Sequence, residues 1–178
     1  MNLFTKTVLK FLSIVSLIAQ ILCAFAGLVL LFASGALLLV SEGVKKQLLQ
    51  YAKLNSNTNL SVWFLVLSCL VALAIIASLF IIMYALHKMI GNIYEQHYFV
   101  FQNLKYLKLI LISFTSFIIL QFISQLFFAQ THTYNVSDVF SESWPSLMGN
   151  ILLLAIVYTI YVVFKYGISL QDDSNNVI

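Results

Sequence analysis

Four stretches of this chain are long enough and apolar enough to cross a lipid bilayer, and that limits its fold more than any other feature. A helix needs about 20 consecutive apolar residues to span the hydrocarbon layer. Runs at or near that length, free of Lys, Asp and Glu, extend from Phe11 to Val40, Leu60 to Leu86, Leu109 to Ala129 and Leu147 to Phe164. The last is the shortest and crosses with little tilt. The expected fold is an all-α membrane protein: one domain over residues 1–178, with four transmembrane helices in an up-down bundle.

Composition points the same way. Hydrophobic residues make up 62% of the 178 and charged residues 8%, against about a quarter charged in soluble domains. There is too little polar surface to cover a soluble core of this size, so the surplus faces lipid. The first run is far longer than the roughly 7–15 apolar residues of a secretory signal. It reads as a retained span. Gln20 and Leu22 stand before Cys23 where a lipoprotein site needs small residues.

Orientation follows from the lysines, because basic flanks stay on the cytoplasmic side. One side carries Lys6, Lys10, Lys88, Lys105, Lys108 and Lys165, and the other only Lys45, Lys46 and Lys53. Both termini are therefore expected in the cytoplasm, with the chain multi-pass in a cell membrane. Trp63 and Trp144 fall on the outer side, where indoles serve as interface anchors.

Between the first two spans, Val44, Leu48, Tyr51 and Ala52 share a helical face opposite Lys46, Gln50 and Lys53, which predicts a short amphipathic outer helix near 44–53. Asn55 to Asn59 supply turn residues before the second span. The outer loop 130–146 places Pro145 where the first turn of a helix tolerates a missing N–H. The inner loop, 87–108, interleaves Tyr94, Tyr98, Phe99, Phe101 and Tyr106 with charged residues and is expected to lie along the membrane surface. A cytoplasmic tail follows over 167–178.

Apolar burial gives helices little reason to associate inside lipid, so small residues and interhelical hydrogen bonds must hold them together. Ala19, Cys23 and Gly27 recur every four residues on the first span, and Ala74 and Ser78 repeat the spacing on the second. These are the expected helix-packing positions. Ser113, Ser116, Gln121, Ser124 and Gln125 form a polar stripe on the third span, with Phe114, Phe117 and Phe122 mostly elsewhere. Gln20 and Asn150 are expected to join that stripe from the first and fourth spans.

No span contains a charged residue, which argues against a proton-coupled transporter, a voltage sensor or a carboxylate-based hydrolase. His87, His97 and His132 lack metal-ligand spacing, and no nucleophile motif or nucleotide fingerprint is present. No enzyme activity, cofactor or metal is expected. All nine basic residues are Lys, and without the Arg fork direct nucleic-acid binding is not expected.

Phe99, Asn103, Lys105, Leu107 and Lys108 stand in the pattern F-x3-N-x-K-x-L-K before the third span. With the ending Phe164-Lys165-Tyr166-Gly167, then Leu170-Gln171-Asp172-Asp173 and a terminal Ile178, the chain resembles the bacterial membrane family catalogued as domain of unknown function 2975. Gln96 departs from the pattern, standing where a Gly is expected, and so do Asn175, Asn176 and Val177 near the end. The resemblance implies four spans and no established activity. It also implies genetic proximity to a small helix-turn-helix DNA-binding regulator.

Two functional expectations follow. The first is a noncatalytic regulatory or sensory membrane protein that holds such a cytoplasmic partner through Tyr98, Phe99, Asn103, Lys105, Leu107, Lys108, Gly167, Leu170, Gln171, Asp172 and Asp173. The second is a small permease, or a pore formed by a homo-oligomer, with a polar path along the third helix.

Overall fold

The structure, a computed structural model, describes residues 2–41, 43–44, 47, 62–128 and 144–176. Four helices account for nearly all of them: α1 (Leu3–Leu39), α2 (Val62–Tyr94), α3 (Phe101–Phe128) and α4 (Trp144–Asn176). Each contains a stretch apolar and long enough to span a membrane. The described residues are thus essentially all helical, and the chain is a multi-pass membrane protein. Most of the amphipathic stretch expected near 44–53, and most of the loop 130–146, lie outside the described residues.

The helices outrun the apolar runs, chiefly at one end. Loss of hydropathy marks where lipid stops, whereas a helix ends only where its backbone finds other partners. The inner loop expected over 87–108 is therefore mostly helix: α2 continues to Tyr94, α3 begins at Phe101, and only residues 95–100 form the turn. The tail expected from 167 onward likewise continues α4 to Asn176.

Contacts between helices run antiparallel. Ser13 meets His87 and Ser16 meets Met83 across α1 and α2; Asn92 meets Asn103 across α2 and α3; Asn150 meets Gln121 across α3 and α4. The start of α1, the α2–α3 turn and the end of α4 therefore share one end of the protein. Lys6, Lys10, Lys88, Lys105, Lys108 and Lys165 all lie toward that end.

Each helix packs chiefly on its chain neighbours, α1 on α2, α2 on α3 and α3 on α4. The bundle is thus an open array with α2 and α3 in the middle. Their most apolar windows are 39% and 33% buried, against 6% for both α1 and α4. In water this exposure would be prohibitive, but lipid solvates Leu and Phe as well as a protein interior does. Ile75 of α2 forms the core with Phe114 and Phe117 of α3, and Leu154 of α4 packs against it.

Candidate functional site

The lysine-rich end is built around the turn between α2 and α3. Helix α2 stops in a paired-bond cap: the His97 N–H donates to the Asn92 carbonyl at 2.9 Å and the Gln96 N–H to the Ile93 carbonyl at 3.0 Å. That geometry places the capping residue in the left-handed region, and Gln96 has φ 68°. The Gly expected at this position would adopt it without a Cβ penalty. Helix α3 then starts with the Asn103 N–H on the Val100 carbonyl at 3.0 Å.

Asn103 locks the turn. Its Nδ2 donates to the carbonyls of His97 and Tyr98, both at 2.8 Å, while its Oδ1 accepts from Asn92 Nδ2 at 2.7 Å. Both faces of the amide are used, and the residue is 0% exposed. Asn103 therefore does not offer a partner surface as expected, because its polar atoms are turned inward to satisfy the turn. Leu107, one helical turn further on, is buried too. It belongs to the protein's interior for the same reason of position.

The other residues of the two end motifs are brought together. Phe99 stacks at a tilt on Phe164, ring centroids 5.4 Å apart, and covers Gly167, where an added Cβ would stand 2.8 Å from the ring. The α2–α3 turn is thereby clasped to the last turns of α4. Tyr98, Phe99, Lys105, Leu170, Gln171 and Asp173 are exposed there, and Asp172 is placed within α4. Lys105 rests its ammonium 5.0 Å from the Phe101 ring, within cation–π range. Lys108 instead borders a groove between α3 and α4.

A polar seam joins α1 to α2 near the same end. The Met83 carbonyl accepts from Ser16 Oγ at 2.8 Å and from Gln20 Nε2 at 3.2 Å. His87 Nδ1 lies 3.1 Å from both the Ser13 carbonyl and the Ser13 hydroxyl. Since a carbonyl can only accept, this contact requires the Nδ1–H form. Gln20 thus joins α1 to α2 and not to the stripe on α3. The sequence signal for Ser13 and Ser16 is the 13, 16, 20 spacing on one helical face, whereas no spacing marks Asn92.

Of the expected packing residues, Ala19 and Cys23 are half-buried, and Gly27 faces Ile76 of α2, its added Cβ 3.9 Å from Ile76 Cγ2. Ala74 is half-buried. Ser78 is buried and donates to the Ala74 carbonyl of its own helix at 3.0 Å. Along α3, Ser113, Gln121 and Ser124 are buried, whereas Ser116 is exposed and Gln125 half-buried. Phe114 and Phe117 are buried with them, so the inward face is mixed and not a continuous polar stripe. At about 100° per residue, Phe117 falls within the arc set by residues 113, 121 and 124 and Phe114 just beyond its edge, while Phe122 lies on the opposite, exposed side. Asn150 donates to Gln121 Oε1 at 3.2 Å. Trp63 is exposed at the end away from the lysines, and Trp144 opens α4 at that end.

Residues 49–178 match the sequence model of a family described as "Protein of unknown function (DUF2975)". The matched region takes in α2, α3 and α4 and leaves α1 outside it. No curated protein and no solved structure matches the chain.

Proposed function

Since the chain belongs to the DUF2975 family, a family without an assigned activity, we propose that it is a noncatalytic regulatory membrane protein whose lysine-rich end holds a cytoplasmic partner. The observation that carries this reading is the Phe99 clasp on Phe164 and Gly167. It fuses the α2–α3 turn and the end of α4 into one surface. Tyr98, Phe99, Tyr166 and Leu170 stand exposed on it, with Lys105 and Lys165 alongside. Exposed aromatic side chains on a fixed support are the usual anchors of a protein interface, and the lysines beside them suit a partner surface of opposite charge.

The lysine bias supports a cytoplasmic position for this end, and a bacterial inner membrane fits the family resemblance. A small helix-turn-helix regulator is the partner that resemblance suggests. The permease or pore reading draws less support. Ser113, Gln121 and Ser124 are enclosed by protein, and the Gln121 amide oxygen accepts from Asn150 across α3 and α4.

The test is affinity capture of the intact chain in mild detergent, beside a Phe99→Ser, Leu170→Ser variant. A cytoplasmic regulatory protein retained by the parent and lost from the variant is expected. Capture of no cytoplasmic protein by the intact chain would overturn the reading.

A further inference from the structure

Helices α3 and α4 leave between them a groove of about 860 Å³, and its lining changes character along its length. Ile112, Ile119 and Ile151 are exposed along its middle. The nearby Thr115 hydroxyl donates to the Leu111 carbonyl of its own helix at 2.8 Å, so it requires no partner from the groove. At the lysine-rich end the lining turns polar, with Lys108 on α3 and Tyr161 on α4. Because the middle residues are exposed and α4 is a flank of the array, the groove opens sideways to the surrounding membrane.

Lys108 is set apart from its neighbours. Lys88 lies over the Tyr84 ring and Lys105 over the Phe101 ring, whereas Lys108 has neither a ring nor a carboxylate partner among the described residues. It sits seven residues into α3, about 10 Å along the axis from Phe101 at 1.5 Å per residue. That places it just outside the apolar run that begins at Leu109, where an ammonium reaches the headgroup layer and, with no partner among the described residues, calls for a counter-charge. The nearest abundant one in a membrane is a lipid phosphate, and basic pockets between transmembrane helices bind anionic headgroups on this principle.

We propose that the α3–α4 groove is a binding site for one anionic glycerophospholipid of the surrounding bilayer, with an acyl chain along Ile112, Ile119 and Ile151 and its phosphate on Lys108. The volume lies within the range of about 300–1,000 Å³ usual for a small-molecule site. The apolar-to-basic order along the groove matches the order of chain and headgroup in a leaflet. Nothing in this assignment depends on the partner surface proposed above.

Native mass spectrometry of the full-length chain, released from detergent after incubation with phosphatidylglycerol or phosphatidylcholine, tests it. The parent should retain phosphatidylglycerol preferentially, and Lys108→Gln should lower that retention about fivefold, toward the phosphatidylcholine level. Lys105→Gln, on the Phe101 ring, should leave it unchanged. Ala155→Trp, which fills the groove, should reduce both adducts. Equal retention of the two lipids by the parent, or no effect of Lys108→Gln, overturns the proposal. So does a dimer that Ala155→Trp dissociates, since the groove would then be covered by a second copy. Lys108→Gln removes only an exposed ammonium, so its result stands even if Ala155→Trp fails to fold.

Discussion

The Phe99 ring occupies the space that a side chain at residue 167 would need: a Cβ built on Gly167 stands 2.8 Å from Phe99 Cε1 and 2.9 Å from Cδ1. A residue in the turn between α2 and α3 thus dictates a glycine some seventy positions away on α4. The contact adds to the fold what the helices alone do not, because α4 is a weakly buried flank.

Gly167→Ala should therefore push Phe99 off Phe164 and release the clasp. Overpacking of this kind costs about 1–3 kcal/mol, read as a lower melting midpoint in detergent. Phe99→Leu in the same chain should recover part of the loss, so the double variant is less destabilised than the sum of the two single ones. Additive losses would mean that the two residues do not press on each other.

Asn103→Leu would leave the His97 and Tyr98 carbonyls, and Asn92 Nδ2, without their shared partner. Each buried polar group left unpaired costs about 1–3 kcal/mol, so a loss of at least about 2 kcal/mol is expected in a thermal melt. Asn103→Asp should be no better, because a carboxylate has no N–H to offer the two carbonyls.

Gln96→Gly should stabilise the protein. A non-glycine residue held at φ 68° costs roughly 1–2 kcal/mol, and the added backbone freedom of Gly returns part of that. A net gain of about 0.5–1 kcal/mol in the same melt is the expected result. A loss would show that the Gln96 side chain makes a contribution larger than its backbone strain.

On the α1 seam, Ser16 and Gln20 both donate to the Met83 carbonyl, so each backs up the other. Ser16→Ala and Gln20→Leu should each cost about 0.6 kcal/mol, the average for a hydrogen bond between membrane helices. The double variant should lose more than the sum, since only then does the Met83 carbonyl lose both of its donors from α1. Helix α1 lies outside the region matched to the family, and this seam is a main polar link between it and the matched part.

The spans and their order could be read from the sequence because lipid imposes the same requirement at every depth, and continuous apolar runs such as Leu60–Leu86 record it directly. The lysine-rich end was harder. Its residues form a group in the sequence, but the F-x3-N-x-K-x-L-K pattern does not distinguish Asn103 from its exposed neighbours. Its burial depends on two carbonyls presented by a turn that only the folded backbone creates. The same pattern does not mark Leu107, whose burial follows from its position one helical turn beyond Asn103 on the inward face of α3. Polarity separates Phe114 and Phe117 from Ser113, Gln121 and Ser124, whereas angular position puts Phe117 among them and Phe114 at their edge. Phe99 and Gly167 were each noticed in its own motif, but no spacing rule joins positions on two different helices.

The central claim is that four helices cross a bilayer with the α2–α3 turn and the end of α4 on one cytoplasmic face. It is tested most directly by labelling single cysteines placed at Ser41, Gln102 or Gln171 in a Cys23→Ala, Cys69→Ala chain with a membrane-impermeant maleimide. In intact cells Ser41→Cys alone should react, and Gln102→Cys and Gln171→Cys should react only once the membrane is opened. Reaction of Gln102→Cys and Gln171→Cys from opposite faces, or of both from outside intact cells, would contradict the account.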